Sequence, residues 1–133
     1  MNLFFKVDKP LEIVFDYLTN MQKFVEVHPV IRKIDHLEGN KYLVYETLKF
    51  GFIPFSFKYP VSVEKEVTNQ TVIMRAVVMK LTKVEMSFTL TAENNMTVVN
   101  EALSFNSILP IKTMMQKVFR EQHTLLFENI GAL

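Results

Sequence analysis

The sequence predicts an α+β fold: a curved, seven-stranded antiparallel sheet wrapped around one long carboxy-terminal helix, with two short helices after the first strand. Three observations predict it. The stretch from Ile111 to Ile130 follows Pro110, contains no internal Gly or Pro, and repeats apolar residues at spacings of three and four. Most of the chain before it alternates apolar and polar residues with a period of two. Short turn sequences separate the alternating runs, which favours antiparallel neighbours over parallel crossovers.

In the final helix, Ile111, Met114, Met115, Val118, Phe119, Leu125, Leu126 and Ile130 are expected on one broad stripe. Gln116, Lys117, Arg120, Glu121 and Glu128 lie mostly opposite. At about 1.5 Å per residue the helix is a rod of roughly 30 Å, and its apolar face needs a sheet to lie against.

At the other terminus, Leu3 to Val7 reads as the first strand. Asp8 or Lys9 is the expected N-cap of the first helix, with Pro10 at an early helical position where a missing N–H does no harm. Leu11, Val14, Phe15 and Leu18 form its stripe, up to Asn20. Met21, Phe24, Val25 and His28 mark a second short helix, stopped by Pro29.

From Val30 the period becomes two. Val30 to Leu37 is a strand closed by Glu38-Gly39-Asn40. Tyr42 to Phe50 follows, with Tyr42, Val44, Glu46, Leu48 and Phe50 on one face. Phe55 to Glu66 places Phe55, Phe57, Tyr59, Val61 and Val63 together, and Pro60 marks a bulge or an edge. Thr71 to Met79 has Met74, Ala76 and Val78 inward and Arg75 outward. Lys83 to Ala92 alternates most cleanly, with Val84, Met86, Phe88 and Leu90 on one face. Glu93-Asn94-Asn95 turns the chain into Thr97 to Phe105, whose apolar face is Val99, Leu103 and Phe105.

The bulk composition narrows the function classes. A chain of 133 residues is expected to form one domain, spanning residues 1–133. A net charge of +1, with both signs mixed, gives no reason to expect nucleic acid as a partner. With no cysteine, disulfides and thiol chemistry are excluded. Met1 to Val7 lacks the features of a signal peptide, and no apolar run approaches the ~20 residues that span a bilayer. The expected location is therefore cytoplasmic. Phenylalanine occurs 12 times and methionine 8 times while tryptophan is absent, which suits a mixed aromatic core or an interior adapted to an apolar guest.

The order of elements resembles the helix-grip fold of the START / Bet v 1-like (SRPBCC) superfamily. The resemblance runs over essentially the whole chain and is clearest from Val7 to Leu37. There, Asp8-Lys9-Pro10-Leu11-Glu12 opens the first helix, Asp16-Tyr17-Leu18-Thr19-Asn20 closes it, and the second helix ends in His28-Pro29-Val30. Polyketide cyclase/dehydrase-like bacterial members are similar here, although Asn20 replaces their Asp and the aromatic before the Pro is absent. The resemblance implies a cavity between sheet and long helix, used by many members for an apolar small molecule such as a lipid, isoprenoid or polyketide. Members also include enzymes and co-chaperones, so the fold alone selects no activity.

Candidate residues follow from the strand parities and that implied cavity. Its lining is expected to comprise Val44, Glu46, Leu48, Phe57, Tyr59, Met74, Ala76, Met86, Phe88, Glu101, Leu103, Met115 and Phe119. Glu46 and Glu101 are the candidate acid–base residues, because they share the parity of apolar neighbours. A buried carboxyl has a raised pKa or needs a partner, and Arg75, Tyr42, Tyr45, Tyr59 and His123 are the available ones. A one-residue bulge would turn either carboxylate outward. No metal site is expected, since His28, His36 and His123 have no ligand spacing between them, and no cofactor motif is present.

Phe50-Gly51-Phe52-Ile53-Pro54-Phe55 is a turn with large apolar residues at its tip. Phe52 and Ile53 either fold back as a cap on the core, cover the cavity mouth as a lid, or touch a membrane or protein partner transiently. Ile108-Leu109-Pro110-Ile111 is a second such stretch. Three readings of function stand side by side: an apolar-ligand carrier, a cyclase or dehydratase acting on such a compound, and a ligand-free interaction module. The carrier is favoured, which leans against an enzyme. The oligomeric state is not legible.

Overall fold

The computed structural model describes residues 1–133, the side chain of Phe50 excepted. In chain order the elements are β1 (Asn2–Val7), α1 (Leu11–Thr19), α2 (Met21–Val27), β2 (Ile31–Glu38), β3 (Lys41–Phe50), β4 (Ile53–Glu66), β5 (Thr71–Val78), β6 (Thr82–Glu93), β7 (Met96–Ser107) and α3 (Lys112–Gly131). The strands form one sheet in the order β1-β7-β6-β5-β4-β3-β2, and every neighbouring pair is antiparallel. This is the expected architecture of seven strands and a carboxy-terminal helix. The pair α1–α2 carries the chain from one edge strand, β1, to the other, β2.

Each long strand buries alternate residues, as a period of two requires. Val72, Met74 and Ala76 of β5 face Val84, Phe88 and Leu90 of β6 and Val99 and Leu103 of β7 on the same inner surface. Leu3 and Val7 of β1 extend it. The side chain of Phe50, expected on this surface, lies outside the described residues. Pro60 sits where β4 pairs with β3 through Leu43 but has not yet reached β5, whose ladder starts at Val61. Its missing N–H therefore falls at an open edge, where it costs no ladder bond.

Three local expectations are corrected. The N-cap of α1 is Pro10 itself, with no side-chain cap; its carbonyl accepts from the N–H groups of Ile13 and Val14 at 3.1 and 3.2 Å. In α2 the expected Met21 and Phe24 are buried and Val27 joins them, while Val25 is only half-buried. In α3 the buried residues are Gln122, His123, Leu126, Phe127 and Ile130, whereas Met114 and Leu125 of the expected stripe are 52% and 47% exposed. At roughly 100° per residue, Leu125 and Met114 lie well round the helix from Leu126, so both cannot share its face.

The end of α3 is fastened at several points. Asn129 Nδ2 donates to the carbonyl of Val27 at 2.8 Å, and Lys9 Nζ donates to that of Gly131 at 3.2 Å. The lysine also places positive charge at the negative end of the helix dipole. Phe127 packs on Phe5 of β1 with ring centres 4.7 Å apart. The helix is thus tied to the sheet at its carboxy-terminal half.

Candidate functional site

Side-chain exposure changes along α3. From Gln122 onward it buries five side chains; before Gln122 it buries none among the described residues. Met115, Val118 and Phe119 are half-buried, and Met115 and Phe119 pack against the core. On the inner face of the sheet, Leu48, Phe57, Tyr59, Val78, Met86 and Phe105 are half-buried as well. Most of these lie near the end of the sheet that carries the β3–β4, β5–β6 and β7–α3 connections. The amino-terminal half of α3 is therefore less deeply buried than its carboxy-terminal half.

All thirteen residues expected to line a cavity have buried or half-buried side chains on the helix-facing side of the sheet or on α3. Val44, Glu46, Met74, Ala76, Phe88, Glu101 and Leu103 are buried, while Leu48, Phe57, Tyr59, Met86, Met115 and Phe119 are half-buried. Aromatic rings run along two borders of this region. Phe55, Phe57 and Tyr59 of β4 follow one another at centroid separations of 5.5 and 5.8 Å. Across from them Phe105 of β7 meets Phe119 at 5.3 Å, and Phe119 meets His123 edge-on at 5.4 Å.

Two pairs of polar groups lie in the interior. Glu101 is 1% exposed and His123 2%, and His123 Nδ1 lies 2.6 Å from Glu101 Oε1. One proton is held between them, on the imidazole or on the carboxyl. The other oxygen, Glu101 Oε2, is buried with no hydrogen-bond partner among the described residues. A buried acceptor left bare costs on the order of 1–3 kcal/mol, so this atom is poised to take a donor. Phe88 and Phe119 flank the imidazole.

A second carboxylate, Glu46, is 9% exposed and accepts from Tyr59 Oη at 2.8 Å. Burial raises its pKa and outweighs the opposing hydrogen bond from Tyr59 and the attraction of His123. Tyr59 is itself held well above its usual range, first by burial and then by Glu46. His28 completes the set. Burial, with a smaller contribution from His123, lowers its pKa to about 3. Its Nδ1 accepts from the N–H groups of Val30 and Ile31 at 3.3 and 3.2 Å, which requires the neutral ring.

Both carboxylates thus point inward, as strand parity indicated, and each finds one of the partners named from sequence. The pairings Glu46–Tyr59 and Glu101–His123 connect residues 13 and 22 positions apart, so no local motif marks them. Of the other candidates, Arg75 faces outward and pairs with Glu64 at 2.9 Å and Glu85 at 3.2 Å. The inward position of His123 had one sequence signal: it continues the run Met115, Phe119, Leu126, Ile130 at spacings of three and four. Gln122 and Phe127 also stand three or four residues from members of that run, Gln122 from Phe119 and Leu126 and Phe127 from Ile130.

Phe52 is 101% exposed and Ile53 72%, so neither folds back onto the core. Two open depressions lie elsewhere on the surface, of about 480 and 600 Å³. The first is bordered by Asn20, Ile34, His36 and Tyr42, the second by Lys9, Glu12, Tyr17 and Leu133. Neither touches the residues expected to line the interior.

Comparison with solved structures bears on the frame that holds these groups. The crystal structure of Ara h 8.0201 superposes with a TM-score of 0.79 at 13% identity, covering 99% of this chain and 94% of that one. A START superfamily protein from Mycobacterium smegmatis gives 0.80 at 13% identity, with coverage of 99% and 94%. The Zhui aromatase/cyclase from Streptomyces sp. R1128 gives 0.71 at 10% identity, with coverage of 99% and 90%. This chain has the START/Bet v 1-like fold. No protein-family model matches its sequence, and no curated protein is similar to it in sequence. At these identities the START/Bet v 1-like likeness is one of backbone architecture, and the chemistry must be read from the side chains present. No helix is long and apolar enough to cross a membrane, among the described residues.

Proposed function

We propose that the chain binds an apolar small molecule between the inner face of the sheet and the amino-terminal half of α3. The observation that carries this reading is the change in exposure along α3: the half of the helix that buries nothing faces half-buried aromatic and methionine side chains. Binding sites of this kind are mainly apolar with a few polar anchors, and Met86 and Met115 can adapt to the shape of a guest. The anchors are Glu101 Oε2, which lacks a donor, and the Glu46–Tyr59 pair. They favour a guest of lipid, isoprenoid or polyketide type that carries a hydroxyl or similar donor at one end. The fold's occurrence in an aromatase/cyclase and in START proteins is compatible with such a guest.

Organic extraction of purified protein followed by mass spectrometry tests the proposal. A stoichiometric apolar compound is the expected result, and its recovery should fall in a Phe119→Ala/Met115→Ala variant that remains folded. Extracts empty of any such compound, together with no uptake of a hydrophobic fluorophore, would count against it.

A second reading has one observation in its favour. The buried Glu101–His123 pair is a carboxyl–imidazole couple beside an apolar space, the arrangement a cyclase or dehydratase uses to move a proton. Glu101→Gln separates the two readings. A carrier converts nothing in either form and loses part of its affinity in that variant, because the amide weakens the Glu101 anchor, whereas an enzyme converts the compound and loses that turnover in the variant.

A further inference from the structure

The two ends of the sheet carry different connections. At one end the turns contain Gly39-Asn40, Thr68-Asn69-Gln70 and Asn94-Asn95, suited to tight reversal, with Val67, 70% exposed, as their one large apolar residue. At the other, the β3–β4 tip, the β5–β6 turn and the β7–α3 connection present Phe52, Ile53, Met79, Leu81, Ile108 and Leu109. Every one of these is exposed, Phe52 completely and Ile108 to 81%. Antiparallel order brings the three connections to the same end.

Charge is divided between the ends in the same way. Residues 47–56, 77–84 and 105–117, which build the apolar end, hold five lysines (49, 80, 83, 112 and 117) and no Asp or Glu. With 15 basic and 14 acidic residues in all, the rest of the chain keeps ten basic and all 14 acidic ones. The acidic residues that flank these segments are occupied: Glu46 is buried against Tyr59, and Glu85 pairs with Arg75. None of the five lysines forms an ion pair among the described residues.

The β5–β6 turn adds a third, independent observation. Met79 and Lys80 both have positive φ, 54° and 60°. Asn94 and Asn95 adopt the same geometry, at 50° and 66°, with the residue type that tolerates it. A methionine and a lysine there are conformationally costly, and such local conflicts concentrate at functional positions.

We propose that this end of the molecule docks on an anionic phospholipid bilayer, its apolar tips entering the headgroup region and its lysines facing the lipid phosphates. Apolar residues at the outermost points with lysines behind them match that surface in both respects. A second copy of the chain does not match, since a symmetric contact would bring ten unpaired lysines together. The proposal is independent of whether the interior binds a ligand.

Co-sedimentation of the intact protein tests it, using vesicles of phosphatidylcholine and vesicles of equimolar phosphatidylcholine and phosphatidylserine. Binding to the anionic vesicles is expected, with roughly tenfold or greater loss in the Lys80→Ala/Lys112→Ala variant and a comparable loss in Phe52→Glu/Ile53→Glu. Raised salt should weaken it. The variant Met79→Asn/Lys80→Gly guards against misfolding as an explanation: it should unfold at a higher temperature yet bind anionic vesicles less well. Equal binding to both vesicle types, binding to neither, or self-association through Phe52 without vesicle binding would each overturn the proposal.

Discussion

Acidification should weaken this protein through one half-buried imidazole. His28 closes α2, and its Nδ1 accepts from the backbone N–H groups of Val30 and Ile31. Protonation would set a ring N–H against two backbone donors in a poorly solvated place. Its folded pKa is accordingly about 3, against a reference of 6.5. Between those values the unfolded chain binds the proton and the folded chain does not. Stability from this group is therefore fully present above about 6.5 and lost as pH falls toward the folded value. At about 1.4 kcal/mol per pH unit, moving from pH 7 to pH 5 should cost about 2 kcal/mol. Urea unfolding at both pH values measures it, with His28→Asn, which keeps a side-chain acceptor, as the comparison. Glu46 acts in the opposite sense, because its raised carboxyl pKa lets the folded chain take a proton first, so the difference between the two proteins isolates His28. Equal loss of stability in both proteins would refute the assignment.

Three further outcomes are expected. Asn20→Ala should destabilise by about 1 kcal/mol in thermal or urea unfolding, because the Asn20 side chain accepts from the N–H groups of Gln22 and Lys23 and caps α2. Glu101→Leu should cost on the order of 1–3 kcal/mol by the same assays, since it strands the ring of His123 in the interior, and Glu101→Gln should cost less. Phe52→Ser should leave the unfolding free energy unchanged to within about 0.5 kcal/mol, since that side chain is fully exposed.

The strands were legible because their burial is one-sided: Val84, Met86, Phe88 and Leu90 cannot alternate with Glu85, Ser87 and Thr89 for any other reason. The same parity offered an inward direction for Glu46 and Glu101 but left it open, because a single bulge would have reversed either one. The face of α3 was harder to read. Its apolar residues cover more than half the helix circumference, and packing on β1 and α2 chose the arc containing Gln122, His123 and Phe127 over the one containing Met114 and Leu125. The partners of the two carboxylates were also undetermined, because they depend on how the helix crosses the sheet. The cap of α1 was misplaced because Asp8 and Pro10 both suit a helix start, and only the backbone geometry distinguishes them.

The claim on which the functional account rests is that apolar side chains under the first half of α3 receive a guest. Methyl NMR of the eight methionines, during titration with the extracted compound or with anilinonaphthalene sulfonate, tests it most directly. The account predicts that the methyls of Met86 and Met115 shift with saturation while those of Met21 and Met79 stay in place. Shifts confined to Met79 and Met114 at the exposed end, or no shifts at all, would contradict it.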